Sequence, residues 1–169
     1  MSKPTISKKI LLWYDNNKRI LPWRKNTSKE QKLYFTFVSE FMLQQTQVST
    51  VIPYFKRFVQ KIPNFKKLSK TNEQTLMKLW EGLGYYSRAT NMLDNAKKII
   101  HEQKTFPKNY TELIKLKGIG EYTAAAISSI CSDEQKGVVD GNVYRVLSRV
   151  FNIETPINTT IGKKEFLKL

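Results

Sequence analysis

Apolar side chains recur at three- and four-residue spacing along almost the whole chain, the period of a helix with one face turned inward. Ile6, Ile10 and Tyr14 form one such face; Phe37 with Phe41, and Val38 with Met42, form two parallel rows. Val48, Ile52, Phe55 and Val59 make a third stripe that contains Pro53, which kinks the helix or sits near its start. Ala89, Met92, Leu93, Ala96, Ile99 and Ile100 trace a fourth, and Val143, Val146, Leu147 and Val150 a fifth. No segment alternates apolar and polar residues over more than four positions, and no repeat of fixed period is present. The pattern predicts an all-α fold in which every stripe is a core face.

Start and stop signals agree with that reading. Thr71-Asn72-Glu73-Gln74 has the form of a capping box opening a helix that ends at Gly82, and Thr111 is placed to cap another before Gly118. Asp140-Gly141-Asn142 precedes the fifth stripe. Ile161 to Leu169 starts an amphipathic helix and the sequence stops inside it, so the chain is expected to be the early part of something longer.

Composition narrows the class. With 169 residues, 40% hydrophobic and 12% aromatic, the chain has the apolar surface to fold and is no basic tail. Its single cysteine, Cys131, excludes an internal disulfide, a four-cysteine zinc site and a four-thiolate cluster held by this chain alone, and fits a reducing compartment. The N-terminus, Met1-Ser2-Lys3-Pro4-Thr5, leads into alternating apolar and basic residues rather than an apolar export signal, and no run approaches 18 apolar residues, so no membrane is expected.

Charge then suggests a partner. The net charge is +15, with 9 basic against 3 acidic groups in residues 1–40, 10 against 3 in 41–100 and 10 against 8 in 101–169. The surplus lies in the first hundred residues, interleaved with Tyr and Trp. That suits a polyanion whose phosphates need cations and whose bases need flat surfaces, although solubility alone is served equally.

Several segments could carry chemistry, each with a plain alternative. Leu116-Lys117-Gly118-Ile119-Gly120 lies between two helical patterns; it is either a tight hairpin presenting backbone N–H groups to a phosphate or an ordinary helix stop. Asp140 is either a site carboxylate at a helix start or a simple cap. Glu40 lies among Phe41, Met42 and Leu43, with Leu43, Gln44 and Gln47 on its own helical side. Buried, it is a general acid with a raised pKa; otherwise it faces solvent, as most glutamates do. Trp80-Glu81-Gly82-Leu83-Gly84-Tyr85-Tyr86-Ser87-Arg88 has the composition of a wedge that stacks on bases, or of buried loop aromatics. His101 is expected at the surface and Cys131 as a small core residue.

Together these segments resemble the helix-hairpin-helix DNA glycosylase superfamily, and within it adenine DNA glycosylases of the MutY type. The likeness covers about residues 20–169. It rests on Leu21-Pro22-Trp23-Arg24, on the run from Ser39 to Val48, on Val51-Ile52-Pro53-Tyr54-Phe55, on the run from Trp80 to Arg88, on Leu116 to Gly120 and on Val139-Asp140-Gly141-Asn142-Val143. The resemblance implies a two-lobed fold, with a six-helix lobe over residues 30–135 and a second, incomplete lobe from residues 1–29 plus 136–169. It implies a monomer that removes adenine mispaired with 8-oxoguanine or guanine from duplex DNA, in a bacterial cytoplasm beside the nucleoid, after flipping the nucleotide. Carried over by position, Glu40 protonates adenine N7 and Asp140 stabilises the positive charge growing on the sugar, a division of labour shared with glycoside hydrolysis. Tyr122 positions the acid and Asn142 supports the acid and water. Trp23, Arg24 and Leu43 form the adenine pocket. Gln45, Thr46 and Tyr85 enter the duplex near the oxidised guanine, and Gly118 and Gly120, with Lys117 beside them, hold a phosphate. No metal is ligated by this chain; the family's 4Fe-4S cysteines are expected beyond Leu169 in a full-length parent.

Three rival readings follow. An endonuclease III-like lyase attacks the sugar with an amine, and that family places Lys where this chain has Tyr122, a phenol that cannot form a Schiff base; Tyr144 points the same way. A non-catalytic DNA-binding module and a basic scaffold without a nucleic-acid site are the others.

Overall fold

The computed structural model describes residues 5–25, 27–102 and 105–167. Met1–Pro4 of the N-terminal reading, and Lys168 and Leu169 of the final segment, lie outside them. Ten helices are present among the described residues: α1 Ile6–Asn17, α2 Lys29–Leu43, α3 Val48–Lys61, α4 Phe65–Ser69, α5 Glu73–Trp80, α6 Ser87–Glu102, α7 Tyr110–Leu113, α8 Glu121–Ser132, α9 Gly141–Phe151 and α10 Thr160–Phe166. A single 3-10 turn, Pro22–Arg24, precedes α2, and the described residues contain no strand, so the all-α expectation holds.

Short polar side chains fix the helix starts, because each satisfies an amide that the first turn leaves unbonded. Ser28 accepts from the Gln31 amide, Asn64 from Lys67, Asn72 from Thr75 and Asn109 from Glu112. Two expected caps are therefore displaced. Thr71 is buried and its hydroxyl donates to the Lys67 carbonyl, leaving Asn72 as the cap of α5. Thr111 stands inside α7 and donates to the Asn109 side chain that does the capping.

Helix α2 is the axis of the molecule. Phe37, Val38, Phe41 and Met42 are fully buried, and α3, α6, α8 and the 3-10 turn pack around them. Phe37 meets the edges of Phe41 and Phe106 at 4.9 and 4.8 Å between centroids, and Phe65 of α4 stacks on Phe106 at 4.2 Å. Each such ring removes about 1.5–3 kcal/mol worth of apolar surface from water. The core also takes in Leu21 and Trp23, which the sequence assigns to the second lobe.

The stripes did not all become core. On α6 the expected face is buried from Ala89 to Ile99. On α3 the helix runs through Pro53 and the buried face is Val51, Phe55 and Phe58, one step round from the expected row. Helices α1 and α9 bury no residue at all: Ile6, Ile10, Tyr14, Val146 and Val150 are exposed. Tyr144 of α9 meets Phe166 of α10 edge-on at 4.9 Å.

Candidate active site

Glu40 projects from the last turn of α2 into a cavity of about 600 Å³. Trp23, Arg24, Leu43, Thr46 and Tyr122 line the same cavity. Trp23 is held by the core, edge-on to Phe55 at 5.3 Å, so the 3-10 turn delivers it rigidly; Arg24 is exposed and donates to the Tyr14 hydroxyl at 3.3 Å. The Glu40 carboxyl is partly buried. Loss of solvent pushes its pKa up to about 7, against the pull of the Arg24 guanidinium. A carboxyl so placed is half protonated near neutral pH and can give a proton to something in the cavity.

Tyr122 lies in the first turn of α8, half exposed at the mouth. Burial raises its phenol pKa, and the negative charges of Glu40 and Asp140 raise it further, which places both carboxyl groups within electrostatic reach of one hydroxyl. Asp140 is also the N-cap of α9: one oxygen accepts from the amides of Asn142 at 3.0 Å and Val143 at 2.9 Å. Asp140 is thus the cap of its own helix; its charge acts on the Tyr122 phenol, and it does not line the cavity that holds Glu40. Asn142, expected beside the acid, instead bonds Asp140: its side-chain amide donates to the other Asp140 oxygen at 3.3 Å. Its position in the first turn after the cap dictates that pairing.

A second hollow of about 500 Å³ adjoins the first through Tyr122 and is lined by Gln45, Tyr85, Gly118 and Gly120. Gln45 and Tyr85 are exposed and both adopt left-handed backbone conformations, φ 56° and 46°. Non-glycine residues seldom hold that geometry without support, and where they do it is often at functional sites.

Of the two hairpin glycines only one must be glycine. Gly118 has φ +74°, and a Cβ there would lie 2.6 Å from the Asn91 side-chain nitrogen; Gly120 has φ −88° and open space around it. Gly120 is the N-cap of α8 and brings no side chain to the helix's first amides, which remain available to an acceptor. The hairpin is anchored from behind by Gln44 and by Asn95, of which the sequence reading does not single out the second. Buried Asn95 donates to the Lys117 carbonyl at 2.8 Å and accepts the Lys117 amide at 3.0 Å, and Gln44 donates to the Gly118 carbonyl at 3.1 Å. The Lys117 ammonium pairs with Asp94 at 2.9 Å. In the glycine-rich loop Tyr85 and Tyr86 are exposed, but Trp80 and Arg88 are buried and belong to the scaffold, not to a stacking surface. Arg88 and Asn95 share a helical face with Met92 and Ile99, so polar residues in register with a core stripe were the available signal.

Cys131 is partly buried and packs against the core, and its thiol pKa is raised chiefly by that burial. A 4Fe-4S cluster takes four thiolates. One cysteine does not fit that group, and the described residues hold no cluster of His, Cys, Asp or Glu able to bind a metal. Among them, no helix is long and apolar enough to cross a membrane.

Residues 38–169 match the family of HhH-GPD superfamily base excision DNA repair proteins. The chain is 47% identical over 147 residues to the adenine DNA glycosylase of Rattus norvegicus, covering 83% of this chain and 28% of that protein. It is 44% identical over 149 residues to the adenine DNA glycosylase of Buchnera aphidicola from Schizaphis graminum, covering 87% and 42%. It therefore spans well under half the length of these curated relatives. Among solved structures, a thermostable thymine-DNA glycosylase superposes with a TM-score of 0.74 at 26% identity, over 83% of this chain and 64% of that one. A non-covalent endonuclease III–DNA complex superposes with a TM-score of 0.71 at 17% identity, over 97% and 77%, a likeness of fold. The chain belongs to the HhH-GPD superfamily of base excision DNA repair proteins.

Proposed function

We propose that this chain carries the excision centre of an adenine DNA glycosylase acting on adenine opposite 8-oxoguanine or guanine in duplex DNA. The observation that carries the reading is Glu40: a carboxyl with pKa raised to about 7, inside a cavity walled by Trp23, Arg24 and Leu43, beside a second hollow lined by strained Gln45 and Tyr85. The curated relatives bear the same activity in their names.

The chemistry divides between the two carboxyl groups. With the adenosine flipped into the cavity, Glu40 gives its proton to N7, and the electron pair of the C1′–N9 bond leaves with the neutral base. Asp140 faces the positive charge left on the sugar. Water then adds to C1′ and loses its proton, giving an abasic site. Tyr122 stays a neutral phenol, able to donate toward Glu40 and crowd the sugar. Trp23, Arg24 and Leu43 hold the base, Gln45, Thr46 and Tyr85 enter the duplex, and the amides after Gly118 and Gly120, with Lys117, meet a phosphate. Asn142 acts through Asp140. The protein works as a monomer, in the bacterial cytoplasm at the nucleoid. A whole parent protein holds a 4Fe-4S cluster with cysteines outside this sequence.

The test mixes the chain with duplexes bearing adenine opposite 8-oxoguanine, guanine and thymine, followed by alkaline cleavage of abasic sites. Strand breaks with the first two and not the third, with no covalent adduct trapped by borohydride, are expected. Binding without any break would leave the chain a DNA-binding module, and a trapped adduct would make it a lyase.

A further inference from the structure

Among the described residues Arg88 is the one charged side chain that is buried. It is 5% exposed, and no carboxylate among the described residues pairs with it. Its guanidinium instead makes seven hydrogen bonds. On one side it donates to the carbonyls of Phe41, Met42 and Gln44 and to the Thr46 hydroxyl. On the other it donates to the carbonyls of Leu83 at 3.2 Å, Gly84 at 3.0 Å and Tyr85 at 3.3 Å. Seven acceptors share five N–H donors, so none is left over for a phosphate or a base. Buried charge is costly unless fully hydrogen-bonded, and here backbone oxygens alone supply nearly all of the compensation.

Those acceptors have a common property. They belong to the end of α2 with the loop that follows it and to the loop before α6, the two segments that present Gln45 and Tyr85, the residues held at φ 56° and 46°. Among the described residues, every hydrogen bond joining segment 41–46 to segment 83–88 runs through this one side chain. The Tyr85 ring also lies over the guanidinium, 5.5 Å from centroid to Cζ.

We infer that Arg88 is a positioning residue that latches the two loops together, so that Gln45 and Tyr85 meet DNA as one preformed wedge rather than as two independently moving tips. The inference rests on the glycosylase reading for its consequence, but the latch is a property of the free protein. A planar fork spans both loops; an ammonium on a flexible stem cannot reach the same set of oxygens. Prior ordering of a binding element removes an entropy cost from the step in which the base is extruded.

Arg88→Lys and Arg88→Ala test it in the full chain, with far-ultraviolet circular dichroism as the fold control. Hydrogen exchange is read at the amides of Thr46 and Leu83, which donate to Leu43 and Trp80, and at amides inside α2. In Arg88→Lys the two loop amides should speed up together by about tenfold or more, with α2 unchanged. Single-turnover adenine release should fall about tenfold or more, with duplex affinity changing less than about threefold and the pH midpoint of the rate unmoved. Millimolar guanidinium, but not ammonium, should restore Arg88→Ala. Exchange unchanged at either loop, or full excision from a chain with both loops loosened, overturns the proposal. Should Arg88→Ala fail to fold, Arg88→Lys decides alone. A wild-type chain that releases no adenine sinks the glycosylase reading instead, and the exchange result still judges the latch.

Discussion

Helices α2, α3 and α6 and the pair α1 and α9 all carry apolar stripes, yet only the first three bury an apolar face. Phe37, Phe41 and Met92 are completely enclosed, whereas Ile10 and Val150 are 53% and 48% exposed. Amphipathic spacing says which face of a helix seeks cover; it does not say whether the chain supplies the cover. The consequence for the site is unequal support. Glu40 stands on the most enclosed helix of the molecule, and Asp140 caps one that buries nothing. Glu40 is held in place by packing, Asp140 by a local capping geometry.

Four changes would break or sharpen that contrast. Phe37→Ala removes a ring that touches Phe41, Phe65 and Phe106 and should cost about 3–5 kcal/mol in denaturant unfolding, while Ile10→Ala and Val150→Ala should stay within about 0.5 kcal/mol. A cost above about 2 kcal/mol at Val150 would contradict the exposed placement. Gly118→Ala combines a positive φ with a contact on Asn91 and should lose about 1–2 kcal/mol together with duplex affinity, whereas Gly120→Ala should leave stability unchanged. Equal losses at both would mean that the hairpin needs two glycines.

The third change is Glu40→Gln. The folded pKa of about 7 exceeds the ordinary 4.5, so ionising this carboxyl opposes folding, and stability present below pH 4.5 is lost as the pH rises through 7. Partial solvent access roughly halves the full conversion, leaving about 1–2 kcal/mol. Glu40→Gln should therefore be more stable than wild type by that amount at pH 8 and equal to it at pH 4. The reverse order at pH 8 would show that Glu40 is stabilised as an anion. The smallest effect is expected from Asn142→Ala. It removes two exposed side-chain bonds, one to Asp140 and one from Arg145, and leaves the capping amides in place, so it should change unfolding by about 0.5 kcal/mol or less.

Much of this was legible in the sequence. The Glu40 run, the hairpin glycine and the Asp140 turn each combine a residue type with a spacing that physical chemistry constrains, and the structure brings Trp23, Arg24, Leu43, Glu40 and Tyr122 around one cavity. The misses have local causes. Threonines at 71 and 111 resemble caps, but neighbouring Asn72 and Asn109 reach the same amides. The row on α3 was displaced because Val51 and Phe58 are as apolar as the residues chosen. Arg88 reads as part of an exposed wedge, and Asn95 does not stand out at all, because a charged or amide side chain reads as surface until a stripe of buried neighbours on the same face shows otherwise.

The central claim, that Glu40 delivers a proton to the departing base, is tested most directly by the pH dependence of single-turnover adenine release from a duplex with adenine opposite 8-oxoguanine. The account predicts a rate that falls as pH rises through about 7, and a Glu40→Gln chain that binds the same duplex but is slower by about 10²–10⁴-fold. A rate that is flat from acid to alkaline pH, or excision by Glu40→Gln at the wild-type rate, would contradict it.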